Sequence, residues 1–193
     1  NKKIPFSTED KTDQPANLYG ATKKANELIA HAYHHLYGVS VTALRYFTAY
    51  GPWGRPDMAY YRFTKQICSG QPIQVFNHGE MKRDFTYIDD IVEGTLAAID
   101  LGASCEIFNL GNNQPIALLR LIQLIEEALG KTAIKEMLPM QPGEVTETFA
   151  DIEKSQRLLA FRPTISLEEG ILRFIDWFKQ YHGLASKIEM QMA

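Results

Sequence analysis

The chain has 193 residues, of which 45% are hydrophobic and 22% charged, and its formal net charge is −3. This balance is typical of a globular protein that forms one substantial domain or part of a larger one. The slightly negative charge disfavours sequence-independent nucleic-acid binding, which needs a basic surface. No apolar run approaches the roughly 20 residues of a membrane-spanning helix. Cys68 and Cys105 lack metal-ligand spacing and predict buried thiols in a reducing cytoplasm.

Hydrophobic periodicity, together with the positions of Gly and Pro, predicts strands that alternate with helices. The predicted helices span residues 17–37, 58–68, 88–101, 117–129, 151–161 and 166–182. The predicted strands span residues 39–47, 72–76, 105–111 and, at an edge, 133–138, and the Gly- and Pro-rich segment 48–57 is predicted to be a loop. Strands separated by helices indicate an α/β protein with crossover connections.

Three helix ends carry a recognisable cap. Gly38 is a natural C-terminal stop for the first helix, and Asp57 can cap the second. Ser166 and Glu169 have the spacing of a capping box at the start of the last helix. The apolar, β-branched segment 39–47 predicts a buried strand. Four aromatic residues recur at helical spacing in the last helix and predict a core-facing side, namely Phe174, Trp177, Phe178 and Tyr181.

The chain contains no Gly-rich loop of the kind that holds a dinucleotide pyrophosphate. Its first residue is Asn1, and the first dozen residues have the character of a surface loop. We therefore expect this sequence to be the C-terminal portion of a longer protein.

Tyr19 and Lys23 lie four residues apart at the start of the first predicted helix, so their side chains share one face. An ammonium beside a phenol favours the phenolate, whose ordinary pKa of about 10 then falls towards neutrality. Such a phenolate can take a proton from a hydroxyl group. Tyr61 and Lys65 have the same spacing. Spacing alone therefore does not separate a proton-transfer pair from two solvated side chains.

The surrounding sequence distinguishes the two pairs. The segments "PANLYGATKKANE" (15–27), "VTALRYFTAYGPWGRPDMA" (41–59) and "GQPIQVFNHGEMKRDFTYIDDIVEG" (70–94) resemble the extended short-chain dehydrogenase/reductase family. Within that family, the sequence is most similar to NAD-dependent nucleotide-sugar epimerases, particularly UDP-glucuronate 4-epimerases. The resemblance extends over about residues 1–182.

The resemblance implies the C-terminal part of a Rossmann-type parallel sheet, without its Gly-rich N-terminal half, plus a smaller α/β substrate-binding domain. Residues 1–50 would be the remnant of the NAD-binding domain. Residues 51–182 would mainly bind the nucleotide sugar, with some segments returning to the Rossmann domain, and residues 183–193 would be a tail.

The resemblance also implies residue roles. Tyr19 would be the catalytic base that takes the proton from the sugar 4-hydroxyl while hydride passes to the nicotinamide of NAD. Lys23 would stabilise the phenolate and bind the nicotinamide ribose, so both residues would also contact the cofactor. Tyr46 and Phe47 would lie beside the nicotinamide, at the carboxyl end of a strand. A catalytic Ser or Thr would lie upstream of Asn1.

Six residues would bind the substrate. Thr48 and Arg55 would lie near the sugar, and a guanidinium suits a carboxylate. The remaining four are Val75 and Phe76 beside the uracil, Arg83 on the diphosphate and Glu144 at the uridine ribose. Gln141 stands where related epimerases often have Arg, which puts a diphosphate contact there in doubt. The alternatives are a loop-anchoring role for Arg55 and an ion pair between Arg83 and Asp84.

Other conspicuous residues receive structural interpretations. Tyr61 and Lys65 lie where the family has no catalytic pair. The histidines in "HAYHH" (31–35) lack a third ligand nearby and predict a solvated helix face, not a metal site. Ser7 and Thr8 match a loop beyond the strand that carries the family's catalytic hydroxyl, so they are not assigned that role.

The expected function is NAD-dependent 4-epimerisation of a UDP-sugar, UDP-glucuronate to UDP-galacturonate, by a longer cytoplasmic homodimer, with this portion inactive alone. The alternatives within enzymes are a UDP-glucose/galactose 4-epimerase and a 4,6-dehydratase. The alternative outside enzymes is a catalytically incomplete nucleotide-sugar-binding fragment. No nucleic-acid or membrane partner is expected.

Overall fold

A computed structural model describes residues 3–141 and 143–184, and in this part of the chain helices alternate with strands. The helices are α1 (Leu18–Tyr37), α2 (Ala59–Cys68), α3 (Ile88–Leu101), α4 (Leu118–Leu129), α5 (Glu153–Leu159) and α6 (Leu167–Tyr181). The strands are β1 (Val41–Tyr46), β2 (Thr48–Tyr50), β3 (Ile73–Val75), β4 (Lys82–Tyr87), β5 (Cys105–Leu110), β6 (Pro115–Ala117), β7 (Lys135–Met137) and β8 (Glu147–Thr148). None of these helices is both long and apolar enough to span a bilayer. Most of the predicted tail, residues 185–193, lies outside the described residues.

The strands form three groups. β1 pairs in parallel with β5, in register from Val41 opposite Cys105 to Tyr46 opposite Leu110. In the second group β4 is central, with β2 and β8 parallel to it and β6 antiparallel. β3 and β7 form a separate parallel pair. Because only Phe47 separates β1 from β2, one extended segment passes from the first group to the second.

Two hydrophobic cores support these groups. The larger core packs α2, α4 and α6 against the strands and includes Tyr50, Tyr60, Phe85, Leu121, Ile125, Phe174 and Ile175. The smaller core lies between α3, α5 and β5 and includes Ile91, Phe108, Leu110, Ile152 and Phe161. No residue of α1 is buried. Cys68 and Cys105 are free thiols that are half-buried, so the prediction of buried thiols is wrong.

The local helix-ending signals are confirmed. Gly38 follows α1 with φ of 65° and donates its N–H to the carbonyl of His34. A left-handed conformation at this position costs glycine little, which explains why α1 ends here. Ser166 caps α6, and its hydroxyl oxygen accepts from the N–H of Glu169 at 3.2 Å.

The prediction of an unbroken loop at 48–57 is wrong. Thr48–Tyr50 forms β2, because β4 offers a hydrogen-bonding edge that the sequence does not reveal. The prediction of an Asp57 cap is also wrong: Met58 is the N-cap of α2, without a side-chain cap. Asp57 instead pairs with Arg55 at 3.4 Å.

Two burial predictions also need correction. The segment 39–47 is half-buried, not buried, since β1 has β5 as its only strand partner among the described residues. In α6, Phe174 and Phe178 are buried as predicted, but Tyr181 is 57% exposed. Trp177 stacks on Tyr181 with ring centroids 5.1 Å apart, so these two rings cover the rim of the core and do not fill it.

Gly170 provides a test of packing between α6 and the central strand group. A Cβ at this position would lie 2.7 Å from Cζ of Tyr50 and 2.8 Å from Cδ2 of Tyr87, both of which are buried. We expect Gly170→Ala to lower the free energy of unfolding by about 1–3 kcal/mol through overpacking. Urea unfolding followed by circular dichroism measures it. The matched control is Gly20→Ala in α1, where the nearest atoms are 3.4 Å away. Equal stability of the two variants would contradict the prediction.

Candidate functional site

Two cavities meet where β1 passes into β2. The first, of about 590 Å³, lies between α1 and the ends of β1 and β4. The second, of about 340 Å³, lies between α2, β4 and the segment around Gln141. Thr48 and Arg83 line both. The two cavities therefore adjoin at these two side chains.

Tyr19 and Lys23 lie together at the start of α1. Asn17 caps this helix and accepts from the N–H of Gly20 at 2.8 Å. The ammonium of Lys23 lies over the ring of Tyr19, 5.4 Å from its centroid. Lys23 lines the first cavity. Tyr19 is 71% exposed and lies outside that lining.

The same face of α1 carries a residue pair that sequence reasoning missed. Glu27, one turn beyond Lys23, accepts from Nε of Arg45 at 2.6 Å and from its Nη2 at 2.9 Å. These bonds from Arg45 hold the pKa of Glu27 below its ordinary value, against the effect of burial. Arg45 immediately precedes Tyr46 on β1. The pair therefore joins the face that carries Tyr19 and Lys23 to the end of β1. The i, i+4 repetition could have indicated Glu27, but nothing local indicated its partner.

Tyr46 and Phe47 lie at the carboxyl end of β1 and line the first cavity, where the sequence placed them. The Tyr46 hydroxyl lies 3.1 Å from Oγ1 of Thr95 on α3. The N–H of Phe47 donates to the carbonyl of Leu110 at 3.0 Å. Ser7, which was not assigned a catalytic role, also lines this cavity.

Arg83 extends from β4 into both cavities. It donates to the carbonyls of Lys82 at 2.9 Å and Thr146 at 3.3 Å. Burial lowers the pKa of its guanidinium, and the nearby charge of Glu144 raises it. Asp84 does not pair with Arg83. Its buried carboxylate instead accepts from backbone N–H groups elsewhere in the chain.

Those donors make Asp84 a junction between distant segments. Its carboxylate accepts from the backbone of Asn112 at 2.6 Å, Asn113 at 3.0 Å and Ala150 at 2.9 Å. Burial raises the pKa of this carboxyl group, while the backbone donors act in the opposite direction. Asp84 thereby joins β4 to the turn after β5 and to the segment after β8. No local sequence pattern indicated these partners.

The remaining predicted substrate residues separate into two sets. Phe76 and Glu144 line the second cavity together with Gln141. Val75 is fully buried and lines neither cavity, so only its backbone can approach one. The side chain of Arg55 is 75% exposed and lines neither cavity, with Asp57 as its ion-pair partner. The predicted roles of Val75 and Arg55 stay predictions.

Two groups of conspicuous residues lie elsewhere. Tyr61 is buried, and its hydroxyl lies 2.9 Å from Nε2 of His182. It packs edge-on against Phe178 and lines neither cavity, in line with the structural interpretation. His34 bonds the carbonyl of Val39 through Nδ1 at 2.8 Å. Within residues 3–141 and 143–184, no three His, Cys, Asp or Glu side chains are grouped so as to hold a metal ion.

Arg62, on α2, is a cavity residue that sequence reasoning missed. It lines the second cavity, opposite the segment that carries Gln141. Within the described part of the chain, its guanidinium has no hydrogen-bond or ion-pair partner. No spacing or motif distinguished it from the other arginines.

Known proteins share this sequence and fold. Residues 1–111 match the profile of the NAD dependent epimerase/dehydratase family. An uncharacterized protein of Methanocaldococcus jannaschii is 54% identical over 178 residues, which cover 92% of this chain and 55% of that protein. UDP-glucuronate 4-epimerase 4 of Arabidopsis thaliana is 49% identical over 200 residues, covering 95% of this chain and 46% of that protein.

Among solved structures, UDP-glucuronic acid 4-epimerase from Bacillus cereus, in complex with UDP-glucuronic acid and NAD, superposes with a TM-score of 0.87. It is 39% identical, and the match covers 94% of this chain and 58% of that one. The mixed α/β architecture is thus that of a Rossmann-like nucleotide-sugar enzyme. The chain belongs to the NAD dependent epimerase/dehydratase family, whose cofactor is NAD. It spans about half the length of the relatives it matches.

Proposed function

We propose that this chain supplies the substrate-binding part and the proton-transfer pair of a longer, NAD-dependent UDP-sugar 4-epimerase that converts UDP-glucuronate to UDP-galacturonate. One observation carries the proposal. A cavity that contains Lys23, Tyr46 and Phe47 adjoins, at Thr48 and Arg83, a second cavity that contains Phe76 and Glu144. A cofactor end and a nucleotide sugar could therefore meet at one point.

The residues of the first cavity fit the nicotinamide end of NAD. Lys23 has no ion-pair partner among the described residues, so its ammonium is available to ribose hydroxyls. Tyr46 and Phe47 offer an aromatic wall beside it. When bound, NAD supplies the hydride acceptor and donor for the sugar carbon. The upstream half would have to bind the rest of the cofactor.

Tyr19 would act as the general base. A positive charge beside a phenol stabilises its anion, and the ammonium of Lys23 lies 5.4 Å from the ring centroid. The phenolate would remove the proton of the sugar 4-hydroxyl and return a proton at the end of turnover. The pair between Glu27 and Arg45 would hold this face of α1 against β1.

The carboxylate of glucuronate would be bound by Arg55 and Thr48. Arg55 is paired only with Asp57, and both side chains are largely exposed. Exposed ion pairs contribute only about 0–1 kcal/mol, so exchange of Asp57 for a substrate carboxylate costs little. UDP-glucose lacks this carboxylate, which favours UDP-glucuronate over the UDP-glucose alternative.

We also propose that the longer protein is a cytoplasmic homodimer. The support is the apolar surface of α1, on which Leu28, Ile29, Tyr33 and Leu36 are each more than half exposed. Soluble proteins usually cover such a contiguous patch. Sedimentation of the full-length protein at several concentrations would reveal a monomer if this proposal is wrong.

The function is tested on a fusion enzyme, in which this chain follows the N-terminal region of the Bacillus cereus relative. With NAD, it should convert UDP-glucuronate to UDP-galacturonate, resolved by anion-exchange chromatography. Turnover of UDP-glucose but not of UDP-glucuronate would contradict the proposed substrate. A deoxygenated 4-keto product would indicate a dehydratase.

The chain alone is the matched control. We expect no epimerisation and no tight NAD binding by calorimetry, because the cofactor would contact only the first cavity. Tight NAD binding and turnover by the chain alone would contradict the need for an upstream half. Binding of UDP-sugars without activity in the fusion enzyme would favour the alternative of a non-catalytic binding fragment.

A further inference from the structure

We propose that Arg62 is the second cation that binds the diphosphate of the nucleotide sugar, opposite Arg83. This proposal rests on the proposed function, since it assigns a role within the same substrate site. Arg62 extends from α2 and Arg83 from β4, and both line the second cavity. A guanidinium presents paired donors that match phosphate oxygens.

The charges around the second cavity show why Arg83 alone is insufficient. A nucleoside diphosphate sugar carries two negative charges on its diphosphate. Arg83 already interacts with the carboxylate of Glu144, which raises its pKa. Arg83 also donates to two backbone carbonyls, so part of its donor capacity is used. Arg83 and Glu144 together therefore leave the two phosphate charges uncompensated.

The other charged residues near this cavity do not supply the missing cation. Arg55 and Asp57 neutralise one another at 3.4 Å, and Arg55 does not line the cavity. Gln141, which does line it, is neutral. Arg62 remains as the cavity-lining cation without an ion-pair or hydrogen-bond partner in the described part of the chain. A ligand phosphate would give this guanidinium its partner.

The experiment measures binding of UDP and of uridine to the 193-residue chain by calorimetry. Uridine has no phosphate, so it reports on the base and ribose subsite alone. The variants are Arg62→Gln, Arg62→Lys and, as a matched control, Lys65→Gln. Lys65 lies one turn further along α2, is exposed and lines neither cavity, so its loss changes the net charge equally.

We expect Arg62→Gln to weaken UDP binding by about tenfold or more and to leave uridine binding unchanged. Arg62→Lys should recover part of the UDP affinity, because a point charge replaces a paired donor. Lys65→Gln should bind both ligands like the unaltered chain. Circular dichroism of each variant verifies that the fold is kept.

The outcomes that overturn the proposal differ from those that overturn the function. If Arg62→Gln and Lys65→Gln bind UDP equally, or if Arg62→Gln weakens uridine as much as UDP, Arg62 does not bind the diphosphate, while the proposed function stands. If the folded, unaltered chain binds neither UDP nor UDP-glucuronate at millimolar concentration, both proposals are wrong.

Discussion

Replacement of Tyr19 by phenylalanine is expected to lower kcat of the fusion enzyme by about a thousandfold, within the range for loss of a general acid–base group. The substitution removes one hydroxyl and keeps the ring on which Lys23 lies. Tyr19 is 71% exposed, so stability should hardly change. Initial rates with UDP-glucuronate, at saturating substrate, measure the effect.

The chain contains a matched control for this experiment. Tyr61 has the same spacing to a lysine, but its hydroxyl lies 2.9 Å from Nε2 of His182 within the core. Tyr61→Phe should therefore lower the free energy of unfolding by about 1 kcal/mol and leave kcat unchanged. Retention of full activity by Tyr19→Phe would contradict the assignment of the base. An equal loss of activity in both variants would indicate a general effect of tyrosine removal.

Asp84→Asn is expected to cause a larger loss of stability than Gly170→Ala or Tyr61→Phe, about 3 kcal/mol in the free energy of unfolding. The buried carboxylate accepts from three backbone N–H groups and from the hydroxyl of Thr86. An asparagine keeps one acceptor oxygen but directs an NH₂ group towards donors, which leaves buried N–H groups unpaired. Urea unfolding of the chain, followed by circular dichroism, measures the change.

The control for this variant is Asp100→Asn on α3. It makes the same change of charge at an exposed position without a hydrogen bond or ion pair in the described part of the chain. Its stability should change by less than about 0.5 kcal/mol. If Asp84→Asn is no less stable than Asp100→Asn, the hydrogen bonds that join β4 to Asn112, Asn113 and Ala150 do not stabilise the fold.

The long elements could be predicted from the sequence because their signals are local. The apolar spacing in α1 and Gly38 at its end define that helix, and Ser166 defines the start of α6. The strands β2, β6 and β8 were missed. Each has only two or three residues and exists because β4 supplies hydrogen-bonding edges on both sides. No local pattern encodes an edge that comes from a distant segment.

The candidate site divides in the same way. The motif around Tyr19 and Lys23 could be recognised from its neighbouring segments, because residues four apart on a helix share a face whatever the rest of the fold. The partnership of Glu27 with Arg45 could not, since it joins residues 18 positions apart. Arg62 differs from other arginines only in lining a cavity.

By itself, the sequence determined the class of fold, the bounds of the long helices, the family resemblance and the motif residues, all of which depend on short-range order along the chain. The tertiary structure decided which of these residues meet. It brought Thr48 and Arg83 to the point where the two cavities adjoin, buried Val75, and left Arg55 exposed. The physical reason is that burial and contact depend on segments far apart in sequence, whereas helix periodicity and capping depend on neighbours.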